Sequence, residues 1–324
     1  MKSVIDTLVT LGERLRDFGS DETSRAAIIE GAMAQNAWFT EGDILRAVDA
    51  ICCEMLSREA LERWLERYVP TTDSQRVAII MAGNIPLVGF FDLLCVLCSG
   101  HRAYVKPSSK DSVLMRYVID VLCDIDPSIP IYAYSSEDKY DMAIATGGDD
   151  ANRYFREHFA TTQALLRGSR HSVAVLDGGE SAEELEGLWS DITSYSGLGC
   201  RSVSLLFIPE GCDVALKSGE AHNPKLRNNI KQRRALYAMQ RRAFVDYGAF
   251  LAVESDMFPT SLAEVSVMRY SAIDDVRMWI SEHREEIQCV VSHADVEGCV
   301  PFGRAQYPTL RDYADGVDTM KFLL

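Results

Sequence analysis

Residues 76–106 read RVAIIMAGNIPLVGFFDLLCVLCSGHRAYVK. A short apolar, β-branched run, Arg76–Met81, leads into a turn holding Gly83, Asn84 and Pro86. A helix-length apolar run follows, and after Ser99-Gly100 comes a second strand candidate, Arg102–Lys106. The middle of this stretch, 81–100, has the greasiness of a membrane segment. Asn84, Pro86, Asp92 and Ser99 interrupt it, whereas a spanning helix needs ~20 consecutive apolar residues. A buried strand, turn and helix account for it instead. The alternation continues downstream. Strand candidates are Pro130–Tyr134, Met142–Thr146 and Ser172–Asp177. Between them one helical face runs through Val113, Leu114, Tyr117, Val118, Val121 and Leu122, and another through Tyr154, Phe155, His158 and Phe159. Strands alternating with helices imply a parallel α/β sheet.

On the N-terminal side, residues 1–69 read as helices, with Val4, Ile5, Leu8, Val9, Leu11 and Leu15 at helical spacing, and Pro70-Thr71-Thr72-Asp73 is a break. From about Asp191 a second α/β region begins. Its strands fall near Ser204–Pro209, Ala249–Glu254, Glu264–Tyr270 and Gln288–Ser292, with a helix near Asp274–His283. A length of 324 residues suits two domains or one large one. With 47% hydrophobic and 25% charged residues the composition is that of a globular protein. A net charge of −15 repels phosphate backbones, so no nucleic acid is expected as partner. The N-terminal stretch carries acids and no small-residue cleavage site, so no signal peptide is expected. Nine cysteines, an odd number, then read as reduced thiols in a cytoplasm.

Four features carry chemistry. Ala145-Thr146-Gly147-Gly148-Asp149-Asp150 follows an apolar strand and precedes a helix. Thr146 can cap, and the glycines let backbone N–H groups approach a pyrophosphate, although a plain strand–helix turn reads equally well. Cys200 follows a Gly-rich turn, Tyr195-Ser196-Gly197-Leu198-Gly199, just before a strand. A thiolate there can be approached closely, where an ordinary cysteine would be buried and inert. Cys95-x-x-Cys98 has redox or zinc spacing but sits in the greasy helix, with no second ligand pair, and reads as core. Residues 225–242 hold Lys225, Arg227, Lys231, Arg233, Arg234, Arg241 and Arg242 and no acid. This run suits the phosphates of a nucleotide or coenzyme A, or equally a solvated helix face. There is no HExxH, GxSxG or GxxxxGK[ST] motif.

Taken in order, Arg76–Leu87, Ser99–Ser108, the strand ending Thr146-Gly147-Gly148, and Gly199-Cys200-Arg201-Ser202 before Leu205–Ile208 resemble the aldehyde dehydrogenase superfamily. Asp191-Ile192-x-x-Tyr195-x-Gly197-Leu198-Gly199-Cys200-Arg201 and the stretch from Gly303-Arg304-Ala305-Gln306-Tyr307-Pro308 to Asp318 resemble its acyl-CoA reductases, relatives of the fatty-acyl reductase of bacterial luminescence operons. The resemblance implies a Rossmann-type cofactor domain and an α/β catalytic domain. The expected division is a helical segment over 1–74, a nicotinamide-cofactor domain over 75–190, a catalytic domain over 191–295, and a segment over 296–324 returning to the cofactor domain. It implies Cys200 as the nucleophile and Asn84 as side-chain oxyanion donor. Lys106 and Ser108 would lie at the adenosine ribose, and Thr146, Gly147 and Gly148 at the pyrophosphate. The implied reaction is NAD(P)H-dependent reduction of an acyl-CoA or acyl-carrier thioester to an aldehyde through an acyl-Cys intermediate, with no metal. A homo-oligomer stays open.

The departures from the family pattern sharpen this. Where aldehyde-oxidising members carry a water-activating Glu, Val175-Leu176-Asp177-Gly178-Gly179 has Leu176, which suits an enzyme that must keep its thioester. Asp177 and Glu180 are substitute bases if the enzyme instead runs oxidatively. The Glu that holds the nicotinamide ribose has Glu264 as its nearest counterpart. Ser109-Lys110 stands where NAD-preferring relatives place an acid, which favours NADPH over NADH. A non-catalytic acyl- or nucleotide-binding descendant of the fold is the third reading.

Overall fold

In the computed structural model, which describes residues 3–16, 18, 22–212 and 214–324, the chain divides into two units. One comprises residues up to Ser169 together with Tyr307–Leu324, the other Arg170–Gln306.

The first unit opens with α1 (Val4–Arg16), α2 (Glu22–Gln35), α3 (Glu41–Glu54) and α4 (Arg58–Leu65). Thr40 and Ser57 start α3 and α4 by accepting the backbone N–H of Asp43 and Ala60 through their hydroxyls. The chain continues as β1 (Arg76–Ile80), α5 (Phe90–Ser99), β2 (Arg102–Lys106), α6 (Ser112–Ile125), β3 (Ile131–Ala133), β4 (Met142–Thr146), α7 (Asp149–His158) and β5 (Gln163–Arg167). The sheet is parallel, in the order β3-β2-β1-β4-β5. Val77 and Ile79 of β1 share one core with Leu93, Leu94 and Val96 of α5 and with Leu8, Leu11, Ile44 and Trp64 of the N-terminal helices. The segment before residue 74 is therefore part of this unit's core. Replacing one such leucine by Ala costs roughly 2–5 kcal/mol. Gly100 ends α5 at φ +90°, and a Cβ there would lie 2.9 Å from the Thr71 carbonyl oxygen, so only glycine fits.

The second unit runs β6 (His171–Val175), α8 (Ala182–Thr193), β7 (Val203–Pro209), α9 (Pro224–Gln240), β8 (Val245–Asp246), β9 (Leu251–Glu254), β10 (Glu264–Tyr270), α10 (Ile273–Glu282) and β11 (Ile287–Val291). Its sheet order is β11-β6-β7-β10-β9-β8, parallel except for the short β8–β9 pair. The chain then returns to the first unit and ends in α11 (Thr319–Leu323). Arg167 is buried there, donating to Asp92 at 2.5 Å and to the Thr319 hydroxyl at 2.7 Å. Tyr68 donates to Asp318 at 2.8 Å, and Trp64 Nε1 donates to the Tyr313 hydroxyl at 2.8 Å.

The structure moves two boundaries. Ser172–Asp177, grouped by sequence with the first sheet, is β6 of the second sheet between β11 and β7, so the units part at 169/170 and not near 190. The return to the first unit begins at Tyr307 and not at 296. Strands β5 and β8 join the sheets without having been expected. Residues 81–100 are a loop and α5, and no helix among the described residues is long and apolar enough to cross a membrane.

Candidate active site

In the first unit the strand order reverses at β1, with β2 on one side and β4 on the other. Open α/β sheets bind ligands in the crevice outside the carboxyl ends of strands at such a point. Register aligns Ile80 with Lys106 and with Ala145, so the segments bearing Asn84, Lys106–Ser108 and Thr146–Gly148 leave the same edge of the sheet. The Met81 N–H donates to the Lys106 carbonyl at 3.1 Å. A Cβ on Gly83 would lie 2.6 Å from the Ser108 side chain, so these two loops touch only because residue 83 is glycine. Asn84 is exposed. Its loop is fastened by Asn36, which donates to the Gly83 carbonyl at 3.2 Å. Asp111 fastens it too, accepting the Leu87 N–H at 2.7 Å. Burial pushes the Asp111 carboxyl up to about 7, the Leu87 N–H partly opposing the shift.

At the end of β4, Thr146 is the last strand residue and does not cap α7. The N-cap is Gly148, with no side-chain cap bond. A Cβ on Gly147 would meet that of Ala151 at 2.7 Å, whereas Gly148 faces open space. Asn152 holds the turn, donating to the carbonyls of Gly147 at 3.1 Å and Arg167 at 2.9 Å. Its Oδ1 is buried with no partner among the described residues. The side chain of Asp149 lies outside the described residues, and Asp150 pairs with Arg153 at 3.4 Å.

In the second unit, α8 runs into a tight turn at 194–197. Tyr195 (φ 53°) and Ser196 (φ 56°) are left-handed although neither is glycine, and Gly197 (φ 73°) follows. Such non-glycine residues cost about 1–2 kcal/mol each and persist only where the surroundings fix them. Those surroundings are visible. The Ser172 hydroxyl donates to the Cys200 carbonyl at 2.8 Å, tying the turn to β6. Buried Asp191 accepts the N–H of Gly303 at 2.7 Å and of Ala305 at 3.1 Å. Arg201 donates to the Ala305 carbonyl at 3.4 Å, and Gln306 to the Ser202 hydroxyl at 3.3 Å. Gly187 and Gly303 pack back to back, a Cβ on Gly187 lying 2.8 Å from the Gly303 nitrogen. The phrases at 191–201 and 303–306 therefore form one clamp around Cys200, a thiol half-buried at the start of β7. A cavity of about 220 Å3 opens against Ser196 and Gly197 of this turn, with Leu226, Phe250 and Leu262 in its walls.

Leu176 is fully buried. Asp177 pairs with His293 Nε2 at 3.0 Å and accepts the Gly179 N–H at 2.8 Å. Glu180 accepts the N–H of Asp177 at 2.6 Å and of Gly178 at 3.2 Å. His293 Nδ1 lies 2.6 Å from Glu184. Glu184 and then Asp177 raise His293 to about 9, while the same pairings lower Asp177 and take Glu184 to about 2. Asp177, Glu180 and His293 could converge on a metal ion. A protonated imidazole already answers the carboxylates, and the cluster is read as an ion-pair network. Cys95 and Cys98 are fully buried, and burial pushes Cys98 up to about 12, so they are core. Glu264 is buried and accepts from the hydroxyls of Tyr237 and Ser261 and from Arg242, tying α9 to β10.

A sequence profile described as acyl-CoA reductase (LuxC) matches residues 22–305. The chain belongs to the acyl-CoA reductase (LuxC) family. A long-chain acyl-protein thioester reductase 2 of Photobacterium leiognathi is 26% identical over 188 residues, covering 51% of this chain and 39% of that protein. The long-chain acyl-protein thioester reductase of Vibrio harveyi is 26% identical over 180 residues, 49% of this chain and 38% of that protein. The chain thus matches about two fifths of the length of these relatives. Its fold is that of aldehyde dehydrogenases. Aldehyde dehydrogenase 21 from Physcomitrella patens, in complex with succinate, superimposes with a TM-score of 0.62 at 13% identity, covering 99% of this chain and 82% of that one. Succinic semialdehyde dehydrogenase from Streptococcus pyogenes, in complex with NADP+, gives 0.60 at 10%, covering 91% and 78%.

In this acyl-CoA reductase family member the expected cofactor residues share one sheet edge in the first unit, and Cys200 has its own framework in the second. Sequence reasoning missed Asp191, Ser172 and Asn152, the residues that hold the turns. Asp191 and Gly303 both stand inside the phrases that carry the family resemblance, but nothing in their spacing says that they touch.

Proposed function

We propose that this chain reduces an acyl thioester, presented on coenzyme A or on an acyl carrier, to the aldehyde through an acyl group held on Cys200. The observation that carries the reading is the strained, clamped turn that presents this thiol. The Cys200 thiolate attacks the thioester carbon, a C–S bond forms, and the donor leaves as a thiolate of pKa near ~8.5, which needs little acid help. Asn84 and the backbone N–H of Cys200 are assigned to the acyl oxygen, a role typically worth about 3–4 kcal/mol. A dihydronicotinamide, if held at the carboxyl ends of β1, β2 and β4, would supply the hydride that takes the acyl carbon on Cys200 to the aldehyde level. Collapse of the Cys200 thiohemiacetal then returns the thiolate. Leu176 has no group that activates water, the Asp177 carboxylate is engaged by His293 and the Gly179 N–H, and Glu180 is turned onto backbone N–H groups. The oxidative reading also loses its substitute bases by position: the 176–180 loop leaves the carboxyl end of β6, whereas the Cys200 turn enters β7 beside Ser172 at the other end.

The nicotinamide nucleotide is assigned to the carboxyl ends of β1, β2 and β4. The open space at Gly148 and the N-terminal N–H groups of α7, which carry no side-chain cap among the described residues, suit a pyrophosphate. Lys106 and Ser108 are assigned to the adenosine ribose, and Thr146 and Gly147 to the pyrophosphate turn. Ser109-Lys110, in place of an acid after Lys106-Pro107-Ser108, favours NADPH. Incubation with acyl-CoA and measurement of intact mass tests the reaction. The expected result is a single acyl adduct, absent in Cys200→Ala. An adduct that survives that substitution, or none in the unaltered protein, refutes the reading.

A further inference from the structure

We propose that the exposed face of α9 is a docking surface for an acidic protein that presents the acyl group as a thioester on a flexible arm; this rests on the reaction assigned to Cys200. Helix α9 buries Leu226, Ile230 and Tyr237 on one side. Its remaining surface belongs to the run 225–242, with seven cations and no acid in a chain of net charge −15. Arg234 pairs with Asp246 at 2.6 Å, Arg242 with Glu264 at 3.4 Å, and Arg233 lies 5.6 Å over the Tyr237 ring. Arg227, Lys231 and Arg241 have no ion pair among the described residues.

Arg227, Lys231 and Arg234 stand at i, i+4 and i+7, a spacing at which like charges repel along one flank of a helix. Cations in its first turn also oppose the helix dipole. An anionic partner removes both penalties, and the acidic remainder of the surface steers such a partner to this strip. A small phosphate would use the charges alone. Here they flank apolar surface: Leu236 and Met239 of α9 and Val245 of β8 are exposed, Met239 at 84%. A cationic flank beside exposed apolar side chains suits a protein surface. Two cavities lie on either side of the loop bearing Ser261 and Leu262. A cavity of about 260 Å3 is lined by Asn229, Gln232, Arg233, Leu236, Ser261 and Leu262. Ser261 and Leu262 also wall the cavity that reaches Ser196 and Gly197 of the Cys200 turn.

The probe is the small, acidic acyl carrier protein of bacterial fatty-acid synthesis, titrated against the full chain by calorimetry in its holo form and used as octanoyl thioester in turnover. Arg227→Glu/Lys231→Glu is expected to weaken binding and raise KM for the octanoyl carrier by at least about tenfold, with binding also falling steeply as salt rises. KM for octanoyl-pantetheine should change less than about twofold, since it lacks the carrier. Met239→Asp, which leaves the cations intact, should weaken carrier binding in the same direction. No binding of the carrier by the unaltered protein, or equal binding by the variants, overturns the proposal. So does an equal loss with octanoyl-CoA, which would make the strip a phosphate site. Acylation of Cys200 by octanoyl-pantetheine tests the reaction separately, since its failure leaves the calorimetry untouched.

Discussion

The turn at Thr146–Gly148 and the turn at Tyr195–Cys200 both open a site at the end of a strand or helix, and they are built by opposite means. At 147 and 148 the backbone is unstrained and glycine is used for the room it leaves: Gly147 lets α7 approach β4, and Gly148 leaves space above the helix N-terminus. At 195 and 196 the backbone is left-handed in residues that disfavour it, and the geometry is held from outside by Asp191, Ser172 and the 303–306 segment. The first turn is carried by small side chains within it. The second is carried by partners up to 114 residues away.

Substitutions can break this contrast. Asp191→Ala should act most strongly, because the buried Ala305 N–H and the half-buried Gly303 N–H lose their acceptor, the buried one at about 1–3 kcal/mol. Chemical denaturation should show the loss, and the rate of acyl transfer to the protein should fall at least about tenfold, following the displaced turn. If acylation persists unchanged in the folded variant, the clamp does not position the thiol. Gly147→Ala should cost about 1–3 kcal/mol by overpacking against Ala151, whereas Gly148→Ala should move stability by less than about 0.5 kcal/mol. Equal effects at the two positions would show that the space at 148 is not open.

Ser196→Gly should stabilise by up to about 1 kcal/mol, raising the melting temperature by about 2–4 °C, by relieving the left-handed strain. A slower acylation in this more stable variant would mean that the strain serves the reaction. The smallest effect is at His293. Its folded pKa of about 9 lies above the unfolded value near ~6.5, so its stabilisation is complete below about 6.5 and fades as pH rises through about 9. Glu184, lowered to about 2, contributes above about 4.5 and loses its share as pH falls through about 2. The melting temperature of the unaltered protein should exceed that of His293→Gln most between about pH 4.5 and 6.5, and the gap should close by about pH 9.5. A gap independent of pH would mean that the imidazole acts by packing alone.

Much of the fold was legible because the first sheet is built of buried β-branched strands: Arg102–Lys106 and Met142–Thr146 have the limits read from sequence. Strand β5 was not legible, since Gln163-Ala164-Leu165-Leu166-Arg167 has no β-branched residue and follows α7 closely. Strand β8 is only two residues long. The unit boundary was misplaced because β6 follows β5 after a short linker, and no local pattern tells which sheet a buried strand joins. In the site, Cys200, Asn84 and the glycines stood out by motif. The strain did not, because Gly197 and Gly199 advertise themselves as the flexible positions while Tyr195 and Ser196 adopt the left-handed backbone. Asp191 reads locally as an ordinary helix acid, and only tertiary structure brings it to residues 303 and 305.

The first unit is discontinuous in sequence, and that sets an order of events during synthesis. Its N-terminal portion leaves the ribosome with Arg167 and Asp92 still lacking Thr319, and with Trp64 and Tyr68 still lacking Tyr313 and Asp318. Residues 170–306 emerge before any of these partners and can fold as a contiguous segment, as nascent domains generally do. The second unit thus has its sheet complete while the first still awaits its last helix. The final 18 residues close that unit, and the nascent protein has apolar positions to shield until they arrive.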